Sequence, residues 1–326
     1  MFYRCSARKV FIFRTGQSPG DHQYPRRGCE LDNPGIPIDL NPPQFRFVAP
    51  HCITTLTWTG GNRAPFLFNS YRVQGSRLSR FCLNAVGTSP PVFIDIDNAA
   101  GDIQLDDIVI DTPTTKARIA AIRCGNEGVV VGPKCTDVFV RAAAPIGFDL
   151  LNVQGHFTGL RCRGVWNDDV GWQLGDSEYL VQSFHCVFCT AEARFGKTPI
   201  LIRNVDEFSW SEGFLEGFVD VDIPADAIMA NQITLTNNFA NGGGSNPVIA
   251  FVHVALPTAT LTLTGNRIES GFLVDDEALT RATVVGNTIV GFNQMSGAVA
   301  KNGLHVCSLG NTAAPAPLKP ETGVCN

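Results

Sequence analysis

The sequence lacks an apolar run of the length that a membrane-spanning helix requires, which is about 20 residues. Its first twenty residues also lack the apolar core of a secretory signal peptide, because the VFIF run at residues 10–13 is too short. We therefore expect neither membrane insertion nor a recognisable signal peptide.

Charged side chains are scarce, at 17% of the residues, whereas hydrophobic residues make up 44%. This ratio excludes a disordered chain and favours one that buries a core. The net charge of −5 argues against a nucleic-acid-binding protein. There are 11 cysteines, an odd number, and at 326 residues the chain is too long to need the disulfide framework of small secreted domains. We therefore predict that most thiols are buried and reduced.

A helical period of apolar residues is also missing, and short apolar runs between small or polar residues recur instead. The segments GFDLLN and GWQLGD lie 24 residues apart and align Phe148 with Trp172, and Cys162 with Cys186. Repeats of this kind predict a solenoid, because stacked turns bury the apolar face that one short strand cannot bury alone. We expect Trp172 to be a core residue.

Asparagine recurs where these strands end, in the segments ITLTNNF, LTLTGNRI, TVVGNTI and VCSLGN. Asn tolerates the left-handed backbone conformation and can bond its own backbone, so it suits a tight corner. The pattern predicts a structural ladder of stacked side chains formed by Asn237, Asn266, Asn287 and Asn311.

Short strands in turns of roughly 22–26 residues, Gly-Asn-x-Ile corners and a stacked core resemble the right-handed parallel β-helix of the pectate-lyase-like superfamily. The segment TLTWTGG leading into PFLFNS is similar to the first turns of phage tailspike and polysaccharide-degrading β-helix proteins. The resemblance implies an all-β fold, a right-handed parallel β-helix solenoid of about ten turns with three strands per turn. It covers residues 45–311, between an irregular N-terminal lead-in at residues 1–44 and an Ala/Pro-rich C-terminal tail at residues 312–326.

The same resemblance implies that the protein binds and cleaves a polysaccharide, as a glycoside hydrolase or a lyase, at the extracellular or virion surface. It is also compatible with a homotrimer, as in tailspikes. The sequence departs from the polygalacturonase pattern, however, because it contains neither Asn-Thr-Asp nor His-Gly. The alternative function is a non-catalytic structural or adhesive fibre, since the fold hosts both.

Acidic residues concentrate around the loop that precedes the repeated strand, together with basic residues and an aromatic one. Two carboxylates at a suitable separation hydrolyse a glycosidic bond, one as acid and the other as base or nucleophile. Acids beside Lys or Arg also suit a lyase, in which a cation stabilises the enolate. The predicted catalytic residues are Asp168, Asp169, Glu192, Glu212 and Glu216. The predicted substrate-binding residues are Trp166, Asp176, Arg194 and Lys197.

The segment that contains His185, Cys186 and Cys189 has two interpretations, a zinc site or a set of buried core residues. Structural zinc needs four converging ligands, and Cys is also among the most buried residue types. We therefore predict no metal and no other cofactor.

Acids that converge at one groove would favour cleavage, and acids spread around the rod would favour the fibre.

Overall fold

The computed structural model is an all-β parallel β-solenoid of about seven turns, rather than the ten predicted. It contains no helix among the described residues, and so none that could span a membrane. The described residues are 64–69, 75–98, 101, 103–111, 114–194, 196–241, 248–257, 259–276, 281–290, 298–301 and 306–314, with the short strands before residue 64 given below. Residues 315–326 of the predicted tail lie outside them.

The chain divides into two compact units. The first comprises residues Met1–Thr158 and Cys162–Asp168, and the second comprises Gly159–Arg161 and Asp169–Asn326. The strands that begin in the first unit are β1 (Phe2–Cys5), β2 (Lys9–Ile12), β3 (Cys29–Asp32), β4 (Ile38–Asp39), β5 (Arg46–Val48), β6 (Thr55–Trp58), β7 (Phe66–Asn69), β8 (Arg77–Ala85), β9 (Val92–Asp97), β10 (Gln104–Asp111), β11 (Ala120–Cys124), β12 (Val130–Val131), β13 (Lys134–Arg141), β14 (Ile146–Leu150), β15 (Val153–Leu160) and β16 (Arg163–Asn167).

The second unit holds the remaining strands. They are β17 (Val170–Leu174), β18 (Val181–Val187), β19 (Thr190–Ala193), β20 (Thr198–Ile202), β21 (Asn204–Ser211), β22 (Phe214–Glu216), β23 (Val219–Ile223), β24 (Met229–Thr236), β25 (Phe239–Asn241), β26 (Val248–Val254), β27 (Thr260–Thr264), β28 (Arg267–Ile268), β29 (Ser270–Asp276), β30 (Arg281–Val285), β31 (Thr288–Val290), β32 (Ala298–Lys301), β33 (Val306–Leu309) and β34 (Thr312–Ala314).

In the first unit, β1 pairs antiparallel with β2 and β3, and the later strands pair in parallel. Strands β7, β9, β11 and β14 place Phe66, Ile94, Ile122 and Phe148 in one register column. All four side chains are buried. Apolar residues from successive turns therefore stack on each other, as the repeat predicts.

In the second unit each strand from β17 to β31 pairs in parallel with the strand three places further along, which gives three sheets. The first sheet contains β17, β20, β23, β26, β29 and β32. The second contains β18, β21, β24, β27, β30 and β33, and the third contains β19, β22, β25, β28, β31 and β34. Three strands per turn are thus confirmed here.

Large aromatic side chains fill the core of the second unit. Trp172 is fully buried, as predicted, and meets the Trp210 ring edge-on with the ring centroids 5.6 Å apart. The rings of Phe184 and Phe208, from adjacent turns, stack in parallel at 5.2 Å. Such pairs contribute about 0.5–1.5 kcal/mol beyond the area they bury.

An asparagine ladder runs through the second unit, but its first member is Asn238 rather than the predicted Asn237. Asn238 Nδ2 donates to Asn266 Oδ1 at 3.0 Å, Asn266 Nδ2 to Asn287 Oδ1 at 2.9 Å, and Asn287 Nδ2 to Asn311 Oδ1 at 2.9 Å. The same oxygens also accept the backbone N–H of the preceding ladder residue. The ladder therefore satisfies both backbone and side-chain groups that would otherwise be buried without partners.

The left-handed residue of each corner directly precedes the ladder residue. Asn237 has a φ of 53°, and Gly265 and Gly286 have φ values of 65° and 64°. The left-handed conformation, one of the two predicted reasons for asparagine at the ladder positions, was therefore wrong there, because the preceding residue adopts it. Asn237 is exposed there, whereas Asn238 is 2% exposed. The other reason, hydrogen bonding to the backbone, applies at Asn287, whose Nδ2 donates to Val285 O.

Among the described residues, five disulfide-bonded cysteines contradict the prediction of reduced thiols, and Cys82 is one of them. Cys135 pairs with Cys162 in the first unit, and Cys186 pairs with Cys189 in the second. In-register strands point equivalent side chains the same way, which was the reason to expect free thiols. In each pair, however, one cysteine lies just outside a strand and escapes that constraint. Cys124 is free and buried, and burial, reinforced by nearby carboxylates, raises the pKa of its thiol.

Replacing Asn266 by Ala should lower the free energy of unfolding by about 1–3 kcal/mol. The change removes the donor to Leu235 O and leaves the N–H of Asn238 without its acceptor in a buried corner. Urea unfolding midpoints measure the effect. Asn231→Ala, at an exposed asparagine, is the matched control, and equal midpoints for the two variants would contradict a structural ladder.

Candidate functional site

The outer surface of the third sheet in the second unit combines acids with aromatic rings. Strand β22 buries Leu215 and leaves Phe214 and Glu216 half-exposed, because successive side chains of a strand point to opposite faces. Strands β25 and β28 repeat the arrangement around the buried Ala240 and Ile268. We call this surface the acid–aromatic face and define it by Glu192, Glu216, Asn241, Phe214, Phe239 and Arg267.

The strand register places these residues in two parallel columns. Glu192 pairs with Glu216, which pairs with Asn241. Neighbouring strands lie about 4.8 Å apart, so the two glutamates project side by side from adjacent turns. The structure thus brings together two of the five predicted catalytic acids.

The second column begins with aromatic rings. The centroids of Phe214 and Phe239 are 5.7 Å apart, and the ring planes are inclined at 31°. The Arg267 guanidinium carbon lies 5.5 Å from the Phe239 centroid, within the range of a cation–π contact. A half-exposed apolar platform with one fixed cation therefore borders the carboxylates.

Glu216 and Asp220 are the two acids of this region with shifted pKa values. Burial raises the pKa of Glu216, because a half-buried carboxylate loses hydration. Asp220 is fully buried, and burial raises its pKa well above the ordinary value of 3.8. The Gly217 amide lowers that pKa in part, and the charge of Glu216 raises it further.

The environment of Asp220 explains the size of this effect. Among the described residues, neither of its carboxyl oxygens has a hydrogen bond of normal geometry. A buried carboxylate without a well-aligned donor is strongly disfavoured, and this raises the pKa of Asp220 despite the nearby Gly217 amide.

The remaining predicted catalytic acids occupy other surroundings. In the first unit, Asp168 accepts hydrogen bonds from Lys116 Nζ at 2.8 and 3.0 Å. In the second unit, Asp169 forms an ion pair with Lys197 at 2.8 Å. Glu212 is exposed at a corner with a φ of 53°. Each of the two aspartates already has a cationic partner within its own unit.

The predicted substrate-binding residues are likewise divided between the units. In the first, Trp166 is 47% exposed, and the Arg141 guanidinium carbon lies 5.9 Å from its ring centroid. In the second, Asp176 accepts the backbone N–H groups of Glu178 and Tyr179, which closes a turn. Arg194 and Lys197 are exposed on the loop between β19 and β20.

Sequence reasoning missed the aromatic column. The signal was a three-residue pattern after each corner, Phe-Leu-Glu, Phe-Ala-Asn and Arg-Ile-Glu, in which the outer two residues share a face. The segment GFVDVD alternates as if Asp220 and Asp222 shared one face of the strand. Asp222 is half-exposed and pairs with His253 Nδ1 at 2.7 Å, whereas Asp220 is covered.

Comparisons with protein-family models, curated proteins and solved structures return no match for this chain.

The variant Asp220→Asn should flatten the pH dependence of stability above pH about 4. A raised pKa means that the folded state keeps a proton that the unfolded state has lost. The wild-type free energy of unfolding therefore falls as pH rises above the unfolded value, by up to about 1.4 kcal/mol per pH unit.

Chemical unfolding of both proteins at pH values from 3 to 8, roughly spanning this window, measures the difference. As pH rises, the free energy of unfolding of the variant should increase relative to that of the wild type. Asp226→Asn, at an exposed aspartate paired with Arg203, is the control. Parallel curves for wild type and Asp220→Asn would mean that Asp220 ionises normally.

Proposed function

We propose that the second unit binds a polysaccharide on the acid–aromatic face and cleaves a glycosidic bond there. Glu216 is the general acid, and Glu192 is its carboxylate partner. The observation that carries this proposal is a half-buried glutamate of raised pKa, one strand away from a second glutamate and beside exposed aromatic rings.

The raised pKa supports the acid role of Glu216. A general acid must hold a proton near the working pH and deliver it to the leaving-group oxygen, and glycosidases achieve this by removing water from one carboxyl group. The raised pKa of Asp220 favours its neutral form, which adds no negative charge beside Glu216. Glu216 can then release and regain its proton without a permanent anion beneath it.

The position of Glu192 supports its role as the second carboxylate. It occupies the same column one turn away, and it is half-exposed. Hydrolysis needs a second carboxylate on the opposite side of the scissile bond, as base or nucleophile. Arg194 and Lys197, exposed on the adjoining loop, would instead suit elimination, in which a cation stabilises the enolate.

The aromatic column supports sugar binding. A pyranose ring presents an apolar C–H face that packs on an aromatic ring, and binding sites combine such surfaces with a few polar groups. Phe214 and Phe239 offer the surface, and Arg267 and Asn241 offer donors for hydroxyl or acidic substituents. Trp166 offers a comparable ring in the first unit.

A non-catalytic glycan-binding fibre is the second candidate. It is favoured by the acids on other faces of the second unit, such as Glu207, Asp222 and Asp226, since they do not converge on Glu216. In either role the proposed partner is a polysaccharide met at the extracellular or virion surface. A homotrimer remains the proposed assembly on the resemblance to tailspikes.

Glu216→Gln and Glu192→Gln should each reduce cleavage by about 10²–10⁴-fold and leave stability nearly unchanged. The assay presents bacterial-surface and plant polysaccharides and follows new reducing ends and ultraviolet-absorbing unsaturated products. Reducing ends alone indicate hydrolysis, and unsaturated products indicate a lyase. Phe239→Ala should weaken binding.

Glu178→Gln, at an exposed turn, is the matched control. Asp168→Asn and Asp169→Asn form a second comparison, because loss of cleavage in these variants alone would move the catalytic centre to residues 166–170. Glycan binding without any product would favour the adhesive fibre. Neither binding nor cleavage would contradict both candidates.

A further inference from the structure

A regular array of hydroxyl groups lies on the outer surface of the second sheet. Its rows are Ser-x-Ser on β21, Thr-x-Thr on β24 and on β27, and a final threonine on β30. The strand register aligns them in two columns, which are Ser209, Thr234, Thr262 and Thr283, and Ser211, Thr236 and Thr264. We call this set the hydroxyl face.

The hydroxyl face is available to solvent and uncharged within its columns. All seven side chains are half-exposed or exposed. Within the part of the chain that the structure describes, none of their hydroxyls has a hydrogen-bond partner. The five threonines also present methyl groups, which the two serines of β21 lack, so apolar and hydrogen-bonding groups alternate on β24, β27 and β30.

Buried residues on the opposite face of the same strands support the array. The residues between the hydroxyls, Trp210, Leu235 and Leu263, are buried and in register with one another. Parallel backbone hydrogen bonds join the strands, and the ladder residues Asn238 and Asn266 fix the corner at which β21 and β24 end. The hydroxyl positions are therefore set before any ligand arrives.

The geometry repeats in two directions. Hydroxyls on one strand are two residues apart, about 6.6–6.8 Å, and those on neighbouring strands are about 4.8 Å apart. A single small ligand has no such two-dimensional repeat. A crystalline lattice of water does, because ice presents flat planes of regularly spaced oxygen atoms.

We propose that the hydroxyl face binds ice. Its hydroxyls take places in the hydrogen-bond pattern of the outermost water layer, and its methyl groups exclude disordered water from between them. The absence of charge within the columns suits this partner, because a charged group would bind liquid water strongly and disturb the ordered layer. Thr-rich strands also follow from β-propensity alone, and the experiment separates the two explanations.

The test uses the full chain and measures thermal hysteresis and the growth shape of single ice crystals in dilute buffer. Wild-type protein should lower the growth temperature of ice below its melting temperature and shape the crystal faces. Thr262→Lys, inside the longer column, should reduce the hysteresis to the level of buffer, because a solvated ammonium interrupts that column beside Thr264 of the other.

Thr158→Lys, at an exposed threonine of the first unit, is the matched control and should retain the activity. Thr262→Ser and Thr262→Val are milder changes that should keep the fold even if Thr262→Lys unfolds the protein. Thr262→Ser removes the methyl group and Thr262→Val removes the hydroxyl group, and each should reduce the hysteresis. No hysteresis in the wild type would overturn the proposal. Binding to crystalline cellulose or chitin without any effect on ice would overturn it as well.

Discussion

Parallel hydrogen bonding between successive turns is the constraint on which the other features depend. It fixes which residue lies above which, and a shift by one residue would exchange every inward and outward side chain. The buried column of Trp172 and Ile200, the pair Glu192 and Glu216, and the hydroxyl face are all products of one register. The Asn ladder holds that register at the corners, where the strands no longer do.

Much of the fold was predictable because its physical cause is local and repeated. The alternation around Phe148 and Trp172 indicated strands, and the burial of both side chains follows from it. Asn266 and Asn287 were recognisable because each corner repeats the same residue type. The error at Asn237 arose because two adjacent asparagines compete for one role, and only the backbone conformation shows which of them turns the chain.

The candidate site was only half predictable. Glu192 and Glu216 were selected as acids in a variable region, but their alignment depends on the register between β19 and β22, which the unequal turn lengths conceal. Asp168 and Asp169 looked equally suitable, because a sequence does not reveal the Lys116 and Lys197 partners that neutralise them. Carboxylates alone were insufficient as a signal, and the aromatic Phe214 two positions before Glu216 would have narrowed the choice.

The ladder has a consequence for how the chain can change in length. Its successive steps span 28, 21 and 24 residues, yet each step makes the same amide hydrogen bond. The additional residues of a longer turn must therefore be accommodated away from the corner that carries Asn238, Asn266 and Asn287. Insertions and deletions of natural variants should accumulate in the other connections of each turn. The ladder asparagine should always remain the residue directly after the left-handed one. Such a solenoid can acquire new loops for new ligands without disturbing the columns that hold it together.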